Sequence, residues 1–373
     1  MQFAFTDEQE QFRSVVRRFL TQKSPTTEVR RLMATAEGFE PSVWRALADE
    51  LALTGLTIPE AYGGAGFGPV ELGIAMEEQG RALLCAPFFS SCVLGAGAIL
   101  NAGTEAQKSE LLPEIANGSV RVAFAVTEPN GRADTSGIET LATKRDGRWT
   151  LRGTKSFVVD GATAHKLIVA ARGDAGLSLF VVDADAKGVT RTPLQTMDAT
   201  RKQARIELDG ASALLLGDAG AGAAALTKTL DHAAIALANE MVGGAQALLD
   251  SAVAYAKLRV QFGRAIGTFQ AIKHKCADML LDVELAKSTA YYAAQAEADG
   301  DPETSSLASM AKAAAADAYM RTAAQTIQIH GGIGFTWEND THLWFKRAKS
   351  SEVWLGDPSH HRERMLERME ARL

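Results

Sequence analysis

From about Ala223 to Leu258 apolar residues recur at helical spacing without interruption. A helix of about 35 residues is roughly 50 Å long. A single chain of 373 residues has little interior in which to hide such a rod, and an oligomeric four-helix core is its natural use. Two more helical patterns follow, at about 271–299 and 303–329. The first 120 residues are patterned the same way. Thr6 and Asp7 are suited to cap a first helix whose apolar face is Phe12, Val15, Val16 and Phe19, and segments at about 41–53, 69–84, 87–101 and 104–118 continue the theme. At Val120 the texture changes. RVAFAVTE, WTLRGTKSFVVDG, HKLIVAAR, LSLFVVD and KQARIELDG are short, rich in β-branched and aromatic residues, and separated by Gly, Asp and Pro. The glycine-rich stretch Gly217–Gly222 returns the chain to helix. The expected class is α+β: an N-terminal helical domain over 1–120, a central β-barrel-like domain over 121–217 and a C-terminal four-helix bundle over 218–373.

Composition narrows the partners. A net charge of −6, with Arg17–Arg18 and Arg30–Arg31 as short isolated pairs, argues against nucleic acid. Three cysteines, Cys85, Cys92 and Cys276, form neither a disulfide framework nor a metal-ligand spacing. Adjacent His360 and His361 lack a third ligand pattern and read as helix surface. Residues 1–20 are polar, and no stretch is long and apolar enough to span a bilayer, so a cytoplasmic location and no membrane partner are expected. The glycines at 63–68 follow no strand, which removes a Rossmann reading.

Chemistry concentrates where the long helical pattern stops. Arg259 to Gln270, RVQFGRAIGTFQ, holds two guanidinium groups (Arg259, Arg264), two amides (Gln261, Gln270) and the Phe262 ring, with Gly263 and Gly267 breaking the helix. Arginine grips phosphate through a planar fork of donors, and a neighbouring ring offers a face to a base. A plain helix–helix turn with solvated charges would read the same way from spacing alone.

The order of the motifs goes further. RVQFG followed by FQAIKHKCADM, then QIHGGIGFTWE at Gln328–Glu338, PEAYGGAGFG at Pro59–Gly68 and VTEPNGRAD at Val126–Asp134 together resemble the acyl-CoA dehydrogenase family over nearly the whole chain. That resemblance implies FAD as cofactor and an acyl-CoA substrate oxidised between Cα and Cβ, a carboxylate taking the α-proton. It implies a tetramer whose flavin sites are each built by two subunits, and an electron acceptor such as an electron-transferring flavoprotein. By the same resemblance Arg259 meets the pyrophosphate and Phe262 the adenine region. Gln270 and Gln328 bond near the dinucleotide, Gly331 and Gly332 let backbone approach phosphate, and Thr127 and Phe157 border the flavin ring. For the two late glycines the alternative is a helix C-cap.

Other positions depart from the family. Where it reads T-E-P-x-x-G-S-D, this chain has Arg132 and Ala133 before Asp134, and Val159 stands where a side-chain donor is common. The usual catalytic glutamate aligns with Leu355, and the alternative position, on the long helix, aligns with Ala233. Neither side chain accepts a proton. Glu352, Asp357, Glu240, Asp231 and His232 lie near one position or the other, each with an ordinary structural use: Asp357 as a cap or turn residue, Glu240 as a hydrogen-bonded carboxylate. Motifs that serve a neighbour are kept and those that serve the chain's own pocket are eroded. The pattern fits a subunit of a hetero-oligomeric dehydrogenase, with a homo-oligomer using a displaced carboxylate, or a flavin monooxygenase on the same fold, as alternatives.

Overall fold

The computed structural model describes residues 5–132 and 135–371. The chain divides into two compact units, each gathered from separated stretches. One takes the chain up to Arg30, Pro69–Leu84 and everything from Ala234 on, and the other Arg31–Gly68 with Cys85–Ala233.

The first unit is helical. Helix α1 (Asp7–Lys23) starts with a capping box in which Thr6 Oγ1 accepts from Gln9 N and Gln9 Oε1 accepts from Thr6 N. It buries Val16, Phe19 and Leu20 and packs on α4 (Pro69–Arg81), in which Leu72 to Gly80 are all buried. Two of those buried residues, Glu77 and Glu78, are carboxylates and require counter-charges. Arg13 Nη1 reaches Glu77 at 2.6 Å, Arg17 grips Glu78 in a fork at 2.7 and 2.8 Å, and Tyr291 Oη donates to Glu77 at 2.6 Å. The long rod is α7 (Gly222–Leu258), whose later turns belong to this unit. It crosses α4 backbone to backbone. A Cβ on Gly80 would lie 1.9 Å from Glu240 O, and one on Gly243 1.8 Å from Glu77 O. Helices α8 (Gln270–Ala298) and α9 (Thr304–His330) face each other through alanines, including Ala286, Ala290, Ala311 and Ala315, and α10 (Thr341–Val353) and α11 (Pro358–Glu370) lie against α9.

The second unit holds helices α3 (Pro41–Asp49), α5 (Ala96–Ala102) and α6 (Glu105–Ala116) and the β strands. Strands β1 (Val122–Ala125), β2 (Leu141–Arg145), β3 (Arg148–Val159), β4 (Lys166–Gly173), β5 (Gly176–Asp183), β6 (Val189–Leu194) and β7 (Gln203–Leu216) form one sheet. Its order is β1-β4-β2-β3-β7-β5 with β6 on β7, and a further β4–β5 ladder closes β4, β2, β3, β7 and β5 into a ring. Leu151, Leu167, Val169, Phe180, Val182 and Ile206 fill the interior, the period-two alternation that closure demands.

Two local differences from the helical pattern have visible causes. The segment read as one helix over 87–101 winds as a π-helix from Phe89 to Gly95 before α5. There the Ser91 hydroxyl bonds both Val122 O and Val122 N, and Ser90 Oγ bonds Pro87 O and Asp160, tying this segment to neighbouring backbone. A helix not read from the pattern, α2 (Thr26–Met33), follows Pro25 and is too short to show a period clearly. Among the described residues no helix is long and apolar enough to cross a membrane.

Candidate functional site

The loop after α7 is a small hairpin. Val260–Gln261 (β8) pairs with Arg264–Ala265 (β9) around Phe262 and Gly263, both at positive φ (55° and 76°), the geometry of a type I′ turn. A helix–helix turn was one reading of this loop; the two-residue turn makes it a ribbon, and it lifts the Phe262 ring to 92 % exposure. Arg264 lies over the Phe269 ring at 4.2 Å and is thereby occupied. The side chains of Arg259, Gln270 (first residue of α8) and Gln328 (near the end of α9) are exposed and have no bonding partner among the described residues. Gly331 is the C-cap of α9 at φ 63°, its N–H shared between Gln328 O and Ile327 O, so the capping alternative is realised there. Nothing lies within 4 Å of a Cβ built on Gly263, Gly331 or Gly332, so backbone is open to approach at each. The two segments meet at one end of the bundle. Tyr255, four residues before Arg259, stacks on His330 at 4.3 Å, and Lys275 Nζ bonds Gln325 Oε1 at 2.5 Å.

In the second unit Thr127 and Phe157 are neighbours across a backbone bond: Ser156 N donates to Thr127 O at 2.8 Å. The β3–β7 register jumps between Lys155 and Val158, and Phe157 sits in that bulge at φ 53° with its ring exposed. Val159 is buried as packing. Arg132 is exposed, its N–H on Asn130 Oδ1, while Ala133 and Asp134 lie outside the described residues. Beneath Thr127 and Phe157 is an ion pair that the motif reading passed over. Lys155, wholly buried, reaches Glu128 Oε1 at 2.6 Å and Val126 O at 3.3 Å, and Glu128 also accepts from Glu139 N, Thr140 N and Thr140 Oγ1. Burial lowers the Lys155 ammonium to about 8 against the pull of Glu128. Burial pushes the Glu128 carboxyl up, but Lys155 and Thr140 outweigh it and hold it below the usual range. Both groups are charged at pH 7, and the pair clamps the backbone carrying Thr127 to that carrying Phe157. A lysine inside an alternating strand pattern was the available signal.

The positions without a base are clear. Ala233 is buried in α7. Leu355 is half-buried at φ 62°, a left-handed conformation costly for a branched side chain, and Gly356 follows at φ 105°. The turn is held from inside. Lys312 of α9, wholly buried, donates to Glu352 O at 3.2 Å and Gly356 O at 3.0 Å, and His361 Nε2 donates to Leu355 O at 3.1 Å. Burial lowers Lys312 to about 7 and, with the nearby Lys312 charge, His361 to about 3. A lone lysine in the alanine run of α9 was the sequence sign of this device. The nearby carboxylates are engaged elsewhere: Glu352 with Lys349, Glu240 with buried Arg347 at 2.7 Å, and Asp357 accepting from His360 N as the cap of α11. Asp231 is buried in α7, and Asp231 and His232 both have partners. Among the described residues no cluster of His, Cys, Asp and Glu is set to hold a metal.

A helical unit and a closed β ring of this topology define the acyl-CoA dehydrogenase fold, and the chain belongs to the acyl-CoA dehydrogenase family. It matches the family's N-terminal domain over residues 6–119, its middle domain over 123–211 and its C-terminal domain over 220–370. Acyl-CoA dehydrogenase IpdE2 of Mycolicibacterium smegmatis is 32% identical over 360 residues, 96% of this chain and 98% of that one. The structure of butyryl-CoA dehydrogenase from Megasphaera elsdenii is similar at TM-score 0.92 and 30% identity, over 99% of this chain and 100% of that one. A steroid ACAD designated Tcur3481-Tcur3483 is similar at TM-score 0.89 and 32% identity, over 98% of each chain. The family consists of FAD-dependent oxidoreductases that act on acyl-CoA. The donor set here suits such a group: an unpaired guanidinium and two unpaired amides beside glycine backbone with no neighbour in the way.

Proposed function

We propose that this chain is a subunit of a FAD-dependent acyl-CoA dehydrogenase that completes a flavin site whose proton-abstracting carboxylate belongs to a partner subunit. The observation that carries the reading is an imbalance. Arg259, Gln270 and Gln328 have no bonding partner among the described residues, whereas residue 355 is leucine and the carboxylates around it are committed to Lys349, Arg347 and the cap of α11. Bound FAD supplies a hydride acceptor. In this chain Arg259 offers a charge-assisted fork to phosphate, Phe262 a ring to the adenine region, and Gly331 and Gly332 room for close approach. Thr127 and Phe157, set by the Lys155–Glu128 clamp, border the flavin ring, and Leu355, at the position of the usual base, accepts no proton. The partner is a homologous subunit in a heterotetramer, and electrons leave to an acceptor such as an electron-transferring flavoprotein. A related steroid enzyme whose designation joins two gene products supports an unlike pair.

Native mass spectrometry and flavin stoichiometry, on the chain alone and co-expressed with a glutamate-bearing homologue, test this. Alone, the chain should hold little FAD and show little dehydrogenase activity; the pair should regain both. A yellow, fully active homotetramer of this chain would overturn the reading. Among the described residues no carboxylate geometry favours the homo-oligomeric alternative.

A further inference from the structure

Within the helical unit α7, α9, α10 and the start of α2 line a half-open cavity of about 380 Å³, at the small end of the range for ligand sites. Its lining shares no residue with the set Arg259, Phe262, Gln270, Gln328, Gly331 and Gly332. Three of its polar groups have no bonding partner among the described residues, and one of them, Trp344 Nε1, is shut off from solvent. His330 is 7 % exposed, and its Nδ1 lies 2.8 Å from Thr326 O. A carbonyl has no proton to give, so Nδ1 carries the hydrogen and Nε2 of the neutral ring is left as an acceptor with no partner among the described residues. Stacking on Tyr255, at 4.3 Å and 19°, fixes the plane of that ring. Among the described residues Trp344 Nε1 is a buried donor without an acceptor, and the partly exposed Ser251 hydroxyl has no partner. A buried donor left unmatched is costly, and the Trp344 N–H marks a place where something else completes it. Charge limits what that is. Glu338 and Asp340 line the wall, Asp340 answered by Arg30 at 2.8 Å, and no lysine or arginine lines the cavity, so an anion finds no counter-charge.

We infer that this cavity binds an uncharged planar molecule presenting a hydrogen-bond acceptor and an N–H donor along one edge, as the aminopyrimidine edge of an adenine-type base does. The acceptor takes the Trp344 N–H, the donor serves His330 Nε2, and the Ser251 hydroxyl adapts to either. The site adjoins the dinucleotide-binding segment but shares no lining residue with it, and it stands whether or not the proposed subunit role holds.

The test uses the full-length chain titrated with adenosine, followed by calorimetry and by the Trp344 indole N–H resonance. Saturable binding that shifts this resonance is expected. AMP should bind more weakly than adenosine, because its phosphate meets Glu338 and Asp340. Trp344→Phe keeps the ring, removes one donor and should weaken adenosine by about tenfold, the worth of one buried hydrogen bond. Thermal unfolding of the ligand-free variant, unchanged or raised because an unmatched donor is gone, shows that it is folded. Absence of saturable binding up to millimolar adenosine, AMP binding as tightly as adenosine, or unaltered affinity in folded Trp344→Phe would each overturn the inference.

Discussion

Replacing Lys312 by methionine should change how stability depends on pH, and in a direction that can be worked out beforehand. The ammonium is wholly buried, and its folded value is lowered to about 7 from an unfolded value near 10.5. Between those values the unfolded chain holds a proton that the folded chain lacks. This lysine therefore makes the fold more stable as pH rises from 7 toward 10.5, and that increment is lost as pH falls back through 7. Each pH unit inside the window is worth at most about 1.4 kcal/mol, so the step from pH 7.0 to 9.5 is on the order of 3 kcal/mol. A neutral amine still has two N–H groups for its two acceptors, Glu352 O and Gly356 O. Methionine cannot serve them, and each orphaned carbonyl costs about 1–3 kcal/mol. Urea unfolding of both proteins at fixed concentration, at pH 7.0 and 9.5, gives the double difference. Lys155, also lowered, is present in both proteins and cancels. The variant should be less stable than wild type at pH 9.5 by about 3 kcal/mol more than at pH 7.0. A gap independent of pH would show that Lys312 is not held near neutrality by burial, and the account of the turn would fail with it.

Other expectations are more direct. Leu355→Gly removes a branched side chain from a left-handed conformation and should stabilise the chain by about 1 kcal/mol in urea unfolding; destabilisation would mean that Leu355 packing outweighs the strain. Lys155→Met leaves Glu128 charged and buried and should cost about 3–5 kcal/mol, while replacing both partners by apolar residues should recover much of it; a small single-variant loss would show water reaching Glu128. Arg259→Ala should lower the FAD content of the assembled complex, measured as flavin absorbance per protein, and unchanged content would remove that side chain from the phosphate site.

The helical–β–helical sequence of textures was legible because period 3.6 and period 2 each persist over many residues, as in α7 and in β3 to β5. The cap at Thr6 and that at Asp357 were legible for a local reason: a short acceptor side chain sits directly before a helix. The π-helix at Phe89–Gly95 was not, since it depends on Ser91 meeting Val122, thirty-one residues away. The hairpin at Phe262–Gly263 was missed because a phenylalanine rarely takes the left-handed first position of such a turn. Lys155 and Lys312 stand out only as lone lysines in a strand and an alanine-rich pattern; what they hold is backbone carbonyl and carboxylate from distant segments, and those partners leave no periodic trace.

The crossing of α4 and α7 has a mechanical consequence. With main chain touching main chain at Gly80 and Gly243, sliding one rod along the other by a single residue would drive a side chain into a peptide oxygen. The contact behaves as a keyed joint, free to loosen only by parting altogether. Amide protons around Gly80 and Gly243 should accordingly rank among the slowest to exchange with solvent deuterium, disappearing only when the whole helical unit comes apart.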